Sequence, residues 1–153
     1  MRYVVVHVAN GNAHLYGAEV ISRVIKFNER YDLKASPAAV FAELSQQMSV
    51  PQPYTLVLAG LSESDKVVGH LIAHVQELYG YRTAMIYQLE IDRGEETVDR
   101  DEMWKQGWDQ ILAWAEQAGC KAIRCWAMNG KLVEVFRRFG FADKDFHFCE
   151  VEI

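Results

Sequence analysis

The sequence predicts an α/β fold: a mixed, mostly antiparallel sheet with helices on both faces, in the order β-α-α-β-β-β-α-β-α-β. Three observations carry that expectation. The 153 residues are half hydrophobic and 12% aromatic, enough to build one sizeable core and too rich in large side chains for disorder. Valine-rich extended runs alternate with stretches whose apolar residues recur at helical spacing. Mid-chain, three extended runs follow one another with only short turns between them, as in an antiparallel meander. No repeat, low-complexity tract or long linker divides the chain, so residues 1–153 are read as a single domain.

Tyr3 to Ala9 is extended and valine-rich, a first strand, and NGNAHLYG reads as a loop. From Ala18 to about Asn28, Val20, Ile21, Val24 and Ile25 fall on one helical face. Ser36 before Pro37 is a helix start: a capping hydroxyl, then a proline whose missing N–H costs nothing in the first turn. That helix runs to about Met48, where PQP ends it. YTLVLAG, KVVGHLIAHV and TAMIYQLEI are the three meander strands, joined by LSESD and ELYGYR. An acidic linker leads into a long helix from Asp99, closed by Gly119. KAIRCWAM is a further strand, apolar enough for burial on both faces. In NGKLVEVFRRFGF, Leu132, Val135, Phe136 and Phe139 form a helical stripe that Gly140 ends, and DFHFCEVEI alternates as a last strand.

Charge and composition exclude several partners. The net charge is −5 with no basic tail, so the clustered positive field that nucleic acid needs is missing. No apolar run approaches the ~18 residues of a membrane span, and MRYVVVHVAN is too short for a signal peptide. Cys120, Cys125 and Cys149 lack metal-ligand spacing and leave an odd thiol, which reads as reduced cysteine in a cytoplasmic protein. His70 and His74 sit on a strand, where four residues separate the rings by roughly 13 Å, so no metal is expected there.

The element order and three local features resemble the GNAT (Gcn5-related N-acetyltransferase) superfamily. The features are the hairpin LVLAGLSESDKVVGHLIAHV with Gly69, the helix end and strand WAEQAGCKAIRCWAMN, and NGKLVEVFRRFGF with its asparagine, helix, aromatic and Gly-Phe. The chain also resembles small GNAT-like proteins encoded by bacteriophages, with similarly short C-terminal ends. The resemblance implies an opening between the fourth and fifth strands for acetyl-CoA, with Leu89, Ile91 and Asn129 as cofactor-binding positions and Glu90 as candidate base. It also implies a pyrophosphate cradle, Arg/Gln-x-x-Gly-x-Gly/Ala, at the start of the following helix, and a tyrosine acid on the fourth helix.

Two of these expectations meet departures. Counting back from Trp114, the cradle slots fall on Asp99, Glu102 and Trp104, and registering on Gly107 instead supplies no better match. Asp99 and Glu102 read as a helix cap, in an approach that also carries Asp92, Glu95, Glu96 and Asp101 against only Arg93 and Arg100. A pyrophosphate there would meet like charge, at a cost of a few kcal/mol near 4 Å before screening. The tyrosine slot is Phe136, which has no proton to give, and nothing places Tyr79, Tyr81 or Tyr87 at a thiolate. Gln88 shares the strand with Glu90 and could orient a ligand. Trp104 and Trp108 share a helix face, as core aromatics or as a surface bordering the phosphate position. Gly107 reads as a place where another element packs close to the helix.

Two functional classes stay open. One is a binding or structural module that kept the fold and lost efficient acetyl-CoA chemistry, engaging a protein partner or a second copy, in the cytoplasm or in a virion if phage-encoded. The other is an acetyl-CoA-dependent N-acetyltransferase acting on a primary amine. Neither reading calls for nucleic acid, a membrane or a metal.

Overall fold

The computed structural model describes residues 3–50, 53–92, 98–126, 130–142 and 151, with the backbone alone at 98, 99 and 130–132. The described elements are β1 (Val4–His7), α1 (Ala13–Arg30), α2 (Pro37–Ser49), β2 (Thr55–Leu61), β3 (Val67–Leu78), β4 (Tyr81–Ile91), α3 (Val98–Gln117), β5 (Ala122–Cys125) and α4 (Gly130–Arg138). The strands form one sheet in chain order, antiparallel from β1 to β4, with β5 parallel to β4. DFHFCEVEI, expected as the last strand, lies almost wholly outside the described residues.

Alternation along the strands splits the core in two. Val57, Ala59, Val67 and Ile72 face α1 and α2, joining Val20, Val24, Leu44 and Met48. Leu56, Leu58, Leu71 and Ile86 face the other way, joining Met103 and Ile111 of α3 and Phe136 of α4. Helices therefore cover both faces of the sheet. Burying side chains as fully as Val20 and Leu58, 0% and 2% exposed, stabilises the fold by about 2 kcal/mol each.

Two close approaches set the helices on the sheet. Gly17 lets α2 close onto α1: a Cβ there would stand 3.3 Å from Met48 Cε. Gly60 and Gly69 are register partners on β2 and β3, and together they make a hollow for Met103. A Cβ on Gly60 would fall 2.5 Å from Met103 Sδ. Along the outer edge of β1, α3 supplies the hydrogen bonds that a further strand would make. Gln106 Oε1 accepts from Val5 N at 2.9 Å, Gln106 Nε2 donates to Tyr3 O at 3.1 Å, and Gln110 Nε2 donates to Val5 O at 2.7 Å.

Several boundaries differ from expectation. α1 starts at Ala13, five residues early, because Asn12 ties the preceding turn together: its Oδ1 accepts from Ala9 N and its Nδ2 donates to His7 O. ELYGYR shrinks to the turn Tyr79–Gly80, with φ of 52° and 77°, the pairing of a two-residue hairpin. β5 is half-buried, not covered on both faces: Ile123 and Cys125 pack inward while Arg124 is exposed. The helix stops at Gly119 (φ 73°) and Gly140 (φ 86°) stand as expected, and Ser36 Oγ caps α2 from Ala39 N.

Candidate functional site

The site begins with one extra residue. Ala73 of β3 faces Ile86 while Ile72 faces Gln88, so Tyr87 is bulged out of β4. The parallel pairing of β4 with β5 runs from Thr83↔Ala122 to Ile86↔Cys125 and ends there. Beyond the bulge, no strand among the described residues lies against the second edge of β4. Pairing stops and a cleft opens.

The cleft, about 510 Å³ with the open solvent at its mouth counted, lies between one face of the sheet, from β1 to β4, α3 from Met103 to Ile111, and α4. Leu89, Glu90 and Ile91 all border it, so the structure brings three of the four expected site residues together. Asn129 is outside the described residues. Trp104 borders the cleft without closing it, set edge-to-face on Phe136 at 6.0 Å between ring centroids. Trp108 packs tilted against Phe139 and edge-on against Phe141, with centroids 5.6 and 5.2 Å apart. Phe136, at the tyrosine slot, is 5% exposed within this cluster.

Gly107 corrects the sequence reading. It lines the cleft, and a Cβ there would meet nothing within 4 Å. Among the described residues no element packs against it; the close approaches fall at Gly17, Gly60 and Gly69 instead.

The cap read at Asp99 and Glu102 is also corrected. α3 already begins at Val98, so Asp99 lies inside its first turn, with its side chain outside the described set. Glu102 Oε1 accepts from Gln106 Nε2 at 3.4 Å, pointing along the helix. Arg100 turns its Nη2 to Asp92 O at 2.7 Å, and Asp92 takes both Nη atoms of Arg23 at 2.5 and 3.3 Å. The arginines at this end thus bind the end of β4 to α1 and α3.

The opposite face of β4 is polar. Arg30 Nη1, at the end of α1, donates to Glu90 Oε1 at 2.9 Å, which engages one oxygen of the candidate base. Behind it runs a partly buried polar chain: Gln88 Nε2 donates to Asn28 Oδ1 at 2.6 Å, and Gln88 Oε1 stands 3.3 Å from His70 Nε2. Because Gln88 spends its amide on Asn28, Nε2 of His70 is assigned the proton and Nδ1 is left an acceptor. Among the described residues Nδ1 has no hydrogen-bond partner. Burial pushes the His70 pKa down to about 4, so the ring is neutral near pH 7; Gln88, Glu90 and Asp92 act against that shift and Arg23 adds to it.

Sequence reasoning missed this polar chain and the Arg30 contact. A signal existed for the first: Asn28 interrupts the apolar stripe of α1, and His70 interrupts an apolar strand. Of the alternative tyrosines, Tyr79 is fully exposed at the hairpin tip, Tyr81 is exposed beside it, and Tyr87 accepts a 2.6 Å bond from Gln76 Nε2. His74 Nδ1 pairs with Thr55 Oγ1 at 3.0 Å. Among the described residues, no group of three or more His, Cys, Asp or Glu could hold a metal, and no helix is long and apolar enough to cross a membrane. Burial raises the thiol pKa of Cys120, and takes that of Cys125 up to about 12, which leaves the latter a poor nucleophile.

No family model and no curated protein matches the sequence. Solved structures do. Glucosamine-6-phosphate N-acetyltransferase from Arabidopsis thaliana superposes with a TM-score of 0.67 at 9% identity, over 99% of both chains. AAC(6')-Iy in complex with the bisubstrate analogue CoA-S-monomethyl-acetylneamine gives 0.68 at 9% identity, over 100% of this chain and 99% of the other. The aminoglycoside acetyltransferase meta-AAC0020 from an uncultured soil metagenomic sample, in complex with sisomicin, gives 0.66 at 18% identity, over 99% and 97%. This chain has the GNAT fold.

Proposed function

We propose that this GNAT-fold chain is a binding module that has lost efficient acetyl-CoA chemistry. The observation that carries the reading is the start of α3 at Val98, which sets the cradle slots Asp99, Glu102 and Trp104 within regular helix. From the fifth helical residue on, backbone N–H groups donate within the helix, so Glu102 and Trp104 have none to offer a phosphate. The free donors of the first turn stand beside exposed Asp101 and Glu102, which repel an anion. Phe136 in place of a proton donor, and Arg30 on Glu90, support the same reading. The residues at the pyrophosphate position do not fit acetyl-CoA, and the binding role is assigned without it. The macromolecular partner is a protein or a second copy of the chain, with a virion or host protein as the setting if the chain is phage-encoded.

The open edge of β4 favours a second reading, an N-acetyltransferase acting on a primary amine with Glu90 as base. CoA release, followed by mass spectrometry in millimolar acetyl-CoA with polyamine, aminoglycoside and peptide amines, separates the two. The binding-module reading expects release at the buffer background with every amine. Turnover that Glu90→Gln removes would overturn it.

A further inference from the structure

The outer edge of β1 is a second place for a partner, independent of what fills the cleft. β1 ends the sheet, and among the described residues no strand pairs with its free side. Val8 N donates to Val57 O of β2, so by the alternation of an antiparallel ladder Val4 and Val6 turn their backbone groups to β2, and Tyr3, Val5 and His7 turn theirs outward. Side-chain amides meet these outward groups. Gln106 Oε1 accepts from Val5 N, Gln106 Nε2 donates to Tyr3 O, Gln110 Nε2 donates to Val5 O, and Asn12 Nδ2 donates to His7 O. A carboxamide carries the same donor and acceptor as a peptide backbone, so the glutamines of α3 stand in, amide for amide, for a neighbouring strand. The edge they cover is one that favours pairing: Tyr3, Val4, Val5 and Val6 are uncharged and suited to extended backbone. On the same turns of α3, exposed Glu102 and Asp109 outweigh exposed Lys105.

We infer that the outer edge of β1 is a docking site for an extended peptide segment of a partner protein, basic at its ends, and that Gln106 and Gln110 hold the site closed until the segment displaces them. In antiparallel register a single peptide residue serves Val5 twice, its C=O accepting from Val5 N and its N–H donating to Val5 O. The exchange replaces amide with amide, so no backbone group of the edge is left unmet. The glutamines set the affinity, because each bond they make is one the peptide must displace before it gains its own. Glu102 and Asp109 favour lysine or arginine on the segment.

The probe is the capped peptide Lys-Thr-Val-Thr-Val-Lys, titrated by calorimetry into the wild type, Gln110→Ala and the double variant Gln106→Ala with Gln110→Ala. The Val5 amide signal is followed by NMR, and folding is checked by circular dichroism. The inference expects binding that shifts the Val5 signal, about fivefold tighter in Gln110→Ala and at least about tenfold tighter in the double variant than in the wild type. The same peptide N-methylated at every residue should not bind. If the double variant does not fold, Gln110→Ala decides alone. Equal affinity of wild type and Gln110→Ala overturns the inference, as does binding that survives N-methylation or leaves the Val5 signal in place. No binding to the folded variants at millimolar peptide overturns it too. A Val5 shift that grows with protein concentration in the absence of peptide gives the edge to a second copy of the chain and overturns the peptide as its occupant.

Discussion

Acidification reaches the polar chain behind β4 without changing an atom of the sequence. His70 is 3% exposed, and burial holds its pKa near 4 against 6.5 for the free side chain. Between those two values the unfolded chain binds a proton at this position and the native chain does not. Stability therefore falls as pH drops from 6.5 to 4, by up to ~1.4 kcal/mol per pH unit and about 3 kcal/mol in all. Above 6.5 the imidazole is neutral in both states and adds no slope. His7 and His74, also lowered by burial, contribute with the same sign. His70→Gln isolates the one residue, since its amide can still donate to Gln88 without titrating. Urea unfolding followed by tryptophan fluorescence, at steps across that window, should show the wild type losing about 3 kcal/mol more than His70→Gln. Parallel curves for the two proteins would refute the burial of a neutral His70.

Four further substitutions, two of them combined, test how α3 and α2 are held. Gly60→Ala drives a Cβ to 2.5 Å from Met103 Sδ and should cost about 1–3 kcal/mol. Combined with Met103→Ala, itself a loss of about 2–5 kcal/mol, the pair should fall short of additivity in urea melts; strict additivity would contradict the contact. Gln106→Ala leaves Val5 N and Tyr3 O without their partner and should destabilise by about 1–3 kcal/mol, with faster amide exchange at Val5. Ser36→Ala removes the cap on Ala39 N, and calorimetry should show a loss of about 1 kcal/mol.

The fold was legible because its signals are local. Strand alternation, the Ser36–Pro37 start and the Gly119 stop each act within a few residues, and together they order the elements. Leu89, Glu90 and Ile91 lie on a strand that its own alternation announced, while their part in a site came only from the family resemblance. The rest depends on residues far apart in the chain. Tyr87 is bulged because of a register across two strands, and nothing in IYQLEI announces it. Arg30 and Glu90 are 60 positions apart, as are Asn28 and Gln88. Gly107 misled for the same reason: a helical glycine marks either a close neighbour or an absent one, and only the packing of α3 against the sheet distinguishes them.

The binding-module reading stands or falls on whether the chain grips acetyl-CoA at all. Thermal unfolding in saturating acetyl-CoA, and separately in CoA, measures that grip without requiring turnover. A cofactor at a hundredfold its dissociation constant would add about 2.7 kcal/mol of stability. With α3 wound from Val98 and the acidic side chains of Asp101 and Glu102 at its start, the expected result is no shift at millimolar cofactor. A concentration-dependent rise in melting temperature with either cofactor would contradict the account.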